Sequence, residues 1–299
     1  MSTASAPDLA TLARRAALAS VATALLLGAL KAYAAWATGS VAMLGSLADT
    51  GLDLIASLVT LLGVHVAAQP ADADHRFGHG KAEAIAALFQ VIVIAVSALA
   101  IGAQAVSRLL GGATTAHAEY GIAVSAIAFG VTLALLAYQR HVIARTRSIA
   151  IGADHVHYQS DLLLNVAVIV ALALDQFAGI RWADPLFGVA IAVWLLFGAW
   201  RASTRAIDQL MDKEWPDEKR DRFLALAARH PELADIHDLR TRTSGARDFV
   251  QFHVSVDPQM TVAEAHRVMD EVEARLAVDF PDTEILIHPD PIDHRKTRP

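Results

Sequence analysis

Apolar residues dominate six long stretches of the chain, at roughly 12–36, 41–66, 82–109, 118–140, 149–175 and 183–206. Each reaches or exceeds the ~20 residues that a helix needs to cross a bilayer. Breakers separate them: Thr38-Gly39-Ser40, Gln69-Pro70, Gly111-Gly112 and Ala183-Asp184-Pro185. The first stretch is too long for a cleaved signal peptide, and no export-type cleavage site follows it. After Asp208 the pattern changes. Pro216-Asp217-Glu218 opens a helix through about Arg229, with proline in the first turn and acids near the positive end of the helix dipole. Asp235–Thr243 and Asp248–Asp257 alternate as strands around a hairpin turn at Ser244-Gly245-Ala246-Arg247. Thr261 and Glu264 form a capping box for a further helix, whose apolar positions Val262, Ala265, Val268, Met269, Val272 and Leu276 keep helical spacing. Glu284–His288 is a last short strand. The expected fold class is therefore mixed: a six-helix transmembrane bundle, residues 1–207, followed by a small α/β domain of order α-β-β-α-β, residues 208–299.

Composition agrees with this division. The 299 residues are 55% hydrophobic and 19% charged, with mean hydropathy +0.40. Residues 1–207 hold 12 basic and 11 acidic side chains, while 208–299 hold 13 and 20 in less than half the length. A disordered chain and a nucleic-acid binder with a basic surface are excluded. Cysteine is absent, so thiol chemistry, Cys-ligated zinc and Fe–S clusters are excluded as well. Lys and Arg flanking the apolar runs set the orientation. With the N-terminus inside, Arg14, Arg15, Arg76, Lys81, Arg140, Arg145, Arg147, Arg201 and Arg205 are cytoplasmic, and only Arg108 and Arg181 lie outside. Both termini are expected in the cytoplasm. Lys31, near the outer end of the first span, is expected to snorkel outward. Tyr33, Trp36, Tyr120 and Trp182 fall near the outer interface.

Several polar residues interrupt the apolar runs. Asp49 and Asp53 stand four apart in the second run, and His157 and Asp161 stand four apart in the fifth. That spacing puts each pair on one helix face with ~6 Å of rise between its members. Asn165 extends the second stripe by a turn. A carboxylate near the bilayer centre costs roughly 2.5–3.5 kcal/mol. No lysine or arginine of these two spans is placed to offset it, so a divalent cation or protons must supply the positive charge. Hydrogen bonding across helices is the alternative. Four oxygen and nitrogen donors suit tetrahedral Zn²⁺, while Fe²⁺, Co²⁺, Cd²⁺ and Mn²⁺ also enter such sites.

Asp72, His75 and His79 have metal-ligand spacing in the turn after the second span, although a polar turn carries such residues without metal too. Six histidines lie in the last domain. His237, His253, His266 and His288, with Asp290, occupy strand and helix positions able to converge at one end of an α/β sandwich; surface histidines are the alternative. His230 and His294 have no partner at useful spacing.

Together these segments resemble the cation diffusion facilitator family, especially its bacterial zinc/iron efflux members, from about Leu18 to Asp293. The resemblance rests on Asp49-x-x-x-Asp53, on Asp72-x-x-His75-x-Phe77-Gly78-His79-Gly80-Lys81-x-Glu83, and on His157-Tyr158-Gln159-Ser160-Asp161. In the last domain it rests on His237-Asp238-Leu239-Arg240-Thr241-Arg242 and Ile287-His288-x-Asp290-Pro291. It implies a transport site at Asp49, Asp53, His157 and Asp161, and a loop site at Asp72, His75 and His79. It also implies a binuclear cytoplasmic site at His237, His253, His266, His288 and Asp290, with Asp290 bridging. Lys81 and Asp212 match a charge interlock near a dimer interface. The implied protein is a multi-pass homodimer of the plasma (inner) membrane with a metallochaperone-like cytoplasmic domain. It exports Zn²⁺, or Fe²⁺, Cd²⁺ or Co²⁺, against protons. It is no enzyme and has no prosthetic group; the metal is substrate and regulatory ligand, the lipid bilayer a partner, and nucleic acid is not one. Pro289 departs from the pattern, because it removes a backbone N–H beside the implied site. A membrane-bound metal sensor or scaffold without translocation is the competing class. A metallohydrolase would need a general base beside an open metal position, and no His-Glu-x-x-His helix is present.

Overall fold

The computed structural model describes residues 6–38, 41–111, 122–178, 182–229 and 234–292. The side chains of Arg108 and Asn165, together with Tyr120, Arg181, His230 and His294, lie outside the described residues. The chain divides into two compact units, one spanning Pro7–Ile207 and one beginning at Asp208.

Six long helices make the first unit: α1 (Ala6–Thr38), α2 (Val41–Ala67), α3 (Ala82–Gly111), α4 (Ile122–Thr146), α5 (Ile149–Ala178) and α6 (Ala183–Leu210). Five of them, α5 excepted, contain a described stretch long and apolar enough to cross a membrane, where the sequence suggested six. Helix α5 is 30 residues long; Asp154, His155, His157, Gln159, Ser160 and Asp161 lie in its first half, and most side chains of its apolar second half lie outside the described residues.

Small residues bring these helices together. The interior where α1 to α5 meet is built on Ala13, Ala16, Ala17, Ala86 and Ala150, filled by Val64, Val142 and Ile151. Where lipid surrounds a bundle there is little hydrophobic gain from helix association, so close backbone approach takes its place. Gly63 marks the tightest approach. A Cβ there would stand 2.4 Å from the Ala86 Cβ and 3.2 Å from the Ala82 carbonyl oxygen, so α2 and α3 meet only because Gly63 has no side chain.

The start of α5 is held by its neighbour. Glu83, in the first turn of α3, accepts hydrogen bonds from Ser148 Oγ at 2.7 Å and from the Ile149 N–H at 3.2 Å. Ser148 Oγ in turn accepts from the Ile151 N–H at 3.3 Å. Orphan N–H groups of a helix end are thus satisfied partly from another helix.

The second unit contains α7 (Asp217–Ala227), β1 (Ala234–Ser244), β2 (Arg247–Val256), α8 (Val262–Asp279) and β3 (Thr283–Pro291). Strand β2 is central, antiparallel to β1 and parallel to β3, and α8 is the crossover between β2 and β3. Pro216 stands at the N-cap of α7, one position before the first turn assigned from the sequence. Thr261 caps α8 with both hydrogen bonds of the capping box. Val262 is exposed rather than part of the apolar face; Val268, Met269, Val272 and Leu276 carry that face. They pack with Phe223, Phe252, Phe280 and Trp215 into one core. Val250, Phe252 and Val254 alternate onto this face, so His253 points to the opposite, open face.

Candidate functional site

Within the helical unit, α2 and α5 bring Asp53, His157 and Asp161 together. One ligand atom from each lies within 4.8 Å of the others. His157 Nε2 donates to Asp53 Oδ1 at 3.0 Å, and the histidine is buried. The i, i+4 spacing on α5 aims His157 and Asp161 at the same face. Asp49 is not part of this group; it lies one turn further along α2 and is exposed. Tyr158 fixes the other side of α5. Its hydroxyl donates to the Ser20 carbonyl oxygen at 3.1 Å and accepts from Ser57 Oγ at 3.0 Å.

A cation does approach α2, contrary to the expectation that Lys31 snorkels outward. Lys31 Nζ donates to Thr50 Oγ1 at 2.6 Å and contacts the Ser46 carbonyl oxygen at 3.4 Å. Thr50 sits between Asp49 and Asp53 in sequence, so an ammonium borne by α1 supplies positive charge beside an acidic turn that neither α2 nor α5 could neutralise alone.

The turn between α2 and α3 gathers Asp72, His75 and His79. Asp72 Oδ1 accepts from the Asp74 N–H at 3.0 Å and the His75 N–H at 2.6 Å. The His75 backbone N–H, above all, holds the Asp72 carboxyl below its ordinary value. Gly78 takes φ +78°, and its N–H donates to the His75 carbonyl oxygen at 2.9 Å, which turns the chain back. His79 Nδ1 donates to the Pro70 carbonyl oxygen at 3.2 Å, leaving Nε2 to face Asp72 Oδ2 at 3.4 Å. His75 Nδ1 lies 3.4 Å from Asp72 Oδ1.

On the open face of the sheet, strand register does the assembly. His237 pairs with His253, His253 with His288, and Ser255 with Asp290. Asp290 Oδ2 lies 2.9 Å from His253 Nδ1 and 3.3 Å from His237 Nε2, while Oδ1 lies 3.3 Å from His288 Nε2. The carboxylate thus touches three imidazoles through both oxygens. The hydrogen bond from His253, first, and then that from His237 hold Asp290 below its ordinary value. His237 Nδ1 donates to the Asp235 carbonyl oxygen at 2.8 Å, so its Nε2 is the atom offered to the cluster. Pro289 costs the cluster nothing in this arrangement: among the described contacts, side chains and the Asp235 carbonyl hold it. His266 is not brought in. It lies exposed on α8, 3.7 Å from Asp270, because α8 belongs to the core side of the sheet. Asp212 contacts Arg242 at 3.4 Å within this unit, and Lys81 belongs to the helical unit.

All three groups offer nitrogen and oxygen donors of the kind borderline divalent cations take, at separations a small side-chain rotation would close around one ion.

One buried constellation lies outside the residues singled out from sequence. Asp154, on α5, is fully buried and accepts from Ser20 Oγ at 2.6 Å, Gln139 Nε2 at 2.8 Å and Gln90 Nε2 at 2.9 Å. These partners come from α1, α4 and α3. The signal was present: Asp154, His157 and Asp161 fall at i, i+3 and i+7.

A bundle that buries carboxylates with an imidazole, followed by an α/β unit with a His/Asp cluster, has the makeup of a membrane cation transporter with a metal-binding tail. Comparison agrees. Residues 17–211 match the cation efflux transmembrane domain and residues 215–292 the cytoplasmic domain of cation efflux proteins. The cation-efflux pump FieF of Pectobacterium atrosepticum is 43% identical over 286 residues, covering 96% of this chain and 95% of that one. The pump of the same name from Cronobacter sakazakii is 41% identical over 284 residues, covering 95% and 94%. A solved structure of the transporter CzrB in its zinc form is 38% identical and covers 28% of this chain and 97% of that one, with a TM-score of 0.26. The chain belongs to the cation diffusion facilitator family and is a multi-pass membrane protein.

Proposed function

We propose that this chain exports a divalent transition-metal cation from the cytoplasm in exchange for protons. The observation that carries the reading is the 3.0 Å contact of His157 with Asp53 between α2 and α5, with Asp161 beside it. A sensor needs no donors buried among apolar helices, so this group favours translocation over a scaffold that only binds. Zn²⁺ suits the donor set, with Fe²⁺, Cd²⁺ and Co²⁺ as further substrates. Asp53, His157 and Asp161 bind it, and Asp49 joins as fourth ligand when α2 and α5 shift relative to the other spans. Protons arriving from outside compete for His157 and an aspartate, and they release the metal.

Asp72, His75 and His79 form a second metal site. His237, His253, His288 and Asp290, joined by His266, form the cytoplasmic site, where metal acts as regulator rather than cargo. The unit of function is a homodimer in the inner membrane, with both termini in the cytoplasm. Metal uptake into proteoliposomes under an imposed pH gradient, with a panel of divalent ions, tests the exchange. Uptake that ignores the gradient would overturn the antiport, and uptake unchanged by Asp53→Ala would remove the site.

A further inference from the structure

Asp154 is used by no step above. It is a carboxylate at the meeting point of five helices, and every described partner is neutral. Ser20 Oγ and Gln139 Nε2 reach Oδ2, and Gln90 Nε2 reaches Oδ1. Gln139 Nε2 also contacts Ser20 Oγ at 3.0 Å, and Gln139 Oε1 lies 3.2 Å from His155 Nδ1. Gln90 Nε2 spans to Thr60 Oγ1 at 3.0 Å. A structural anion in lipid is normally met by arginine or lysine. Here the surrounding groups are hydroxyls and primary amides, and each of these can accept as well as donate.

The cage therefore fits both forms of the acid. With Asp154 ionised, both Gln90 N–H bonds are used, and Gln90 Oε1 is left buried without a hydrogen-bond partner. With Asp154 protonated, a half-turn of the Gln90 amide presents Oε1 to the acid O–H and to the Thr60 hydroxyl. An orphaned acceptor at this depth is costly, and protonation gives it a donor. The charged groups that act on Asp154 are Asp53 on α2 and His157 on its own helix. Ser20, Thr60, Gln90 and Gln139 face it from α1 to α4, with His155 reaching it through Gln139. Asp154 and His157 stand three positions apart, about 4.5 Å of helical rise.

We infer that Asp154 is a second proton-binding site of the transport cycle, distinct from the metal ligands and coupled to them through space. Metal arriving at Asp53, His157 and Asp161 places two positive charges near the acid. The Asp154 O–H bond then breaks, its electron pair stays on the carboxylate, and the proton passes to water. When metal leaves, the cluster of carboxylates draws a proton back. This rests on the proposed transport site, since without metal there nothing drives the exchange.

The test is zinc titration of the purified full chain in weak buffer with a pH indicator, counting protons released per Zn²⁺ across a range of pH. Asp154→Asn keeps the shape and the reversible amide partners but holds no titrating proton. Up to one fewer proton per zinc is expected over part of that range, with zinc affinity at high pH retained. Identical counts at every pH would overturn the inference. Should that variant not fold, Gln139→Ala removes one donor to the anion and moves the pH of the extra release upward; an unmoved pH also overturns it. Release from the unaltered chain that Asp53→Ala leaves intact would instead strike the proposed transport site itself.

Discussion

The buried group on α2 and α5 and the cluster on the sheet use the same side chains in opposite surroundings. Asp53, His157 and Asp161 are held by helix packing, with the histidine buried and the two carboxylates half-buried. His237, His253, His288 and Asp290 are held by strand register, on the face of the sheet opposite its core helices. His157 is 4% exposed, whereas the His288 side chain is 63% exposed. Charge in the first place must be matched by an ion or a proton. In the second place His288 stands open to water while Asp290 is as covered as Asp53, and three imidazoles share its charge. On that difference rests the proposed division between a site that carries an ion and one that reports on it.

The sharpest way to break the comparison is Asp53→Ala. It should lower metal uptake into everted vesicles by more than about 100-fold, beyond the 10–100-fold typical of lost supporting contacts, while the protein still inserts. Next comes Asp290→Asn, which leaves the three imidazoles without their shared carboxylate. Zinc binding to the cytoplasmic cluster of the full chain should weaken by roughly 10–100-fold, with uptake reduced but present. Equal loss of uptake in the two variants would erase the distinction between them.

Gly63→Val tests helix packing rather than chemistry. The added side chain meets Ala86 and should destabilise the α2–α3 contact by about 1–3 kcal/mol, read as a lower melting temperature in detergent. Asp290 also sets an acid limb. Its folded value is depressed, so its contribution is present at neutral pH and is lost as pH falls through about 4 toward that lower value. Hydrogen exchange in β2 should rise over that range in the unaltered chain and rise less in Asp290→Asn. The smallest effect expected is that of Thr261→Ala. Loss of the capping box should cost about 1 kcal/mol in the α/β unit, with zinc uptake unchanged.

Most of the architecture was legible because each element carries its own periodicity. Runs of about 20 apolar residues announce α1 to α6, and the Thr261–Glu264 pair announces where α8 starts. The chemistry was legible wherever two donors share one helix face, as with His157 and Asp161. It was silent where the question was which face of one element meets another. His266 has the right residue type on a correctly assigned helix, yet α8 lies on the core side while His253 alternates to the open side. Lys31 was assigned outward because its position along α1 is known from sequence but its rotation about the axis is not. Asp154 shares the i, i+3, i+7 stripe with His157 and Asp161, but its partners Ser20, Gln90 and Gln139 stand alone in three different helices, so the cage around it gave no periodic signal. Asp49 shows the limit of i, i+4 reasoning, since one turn of rise is enough to leave a side chain outside the group.

Glu83 closes the N-terminal turn of α5 from the first turn of α3, so the two helices share a hinge pin. A piston-like slide or an axial roll of α5 alone would strip that pin from Ser148 and Ile149. The proposed shift of α2 and α5 must therefore either carry the first turn of α3 with it or exchange the Glu83 hydrogen bonds for others.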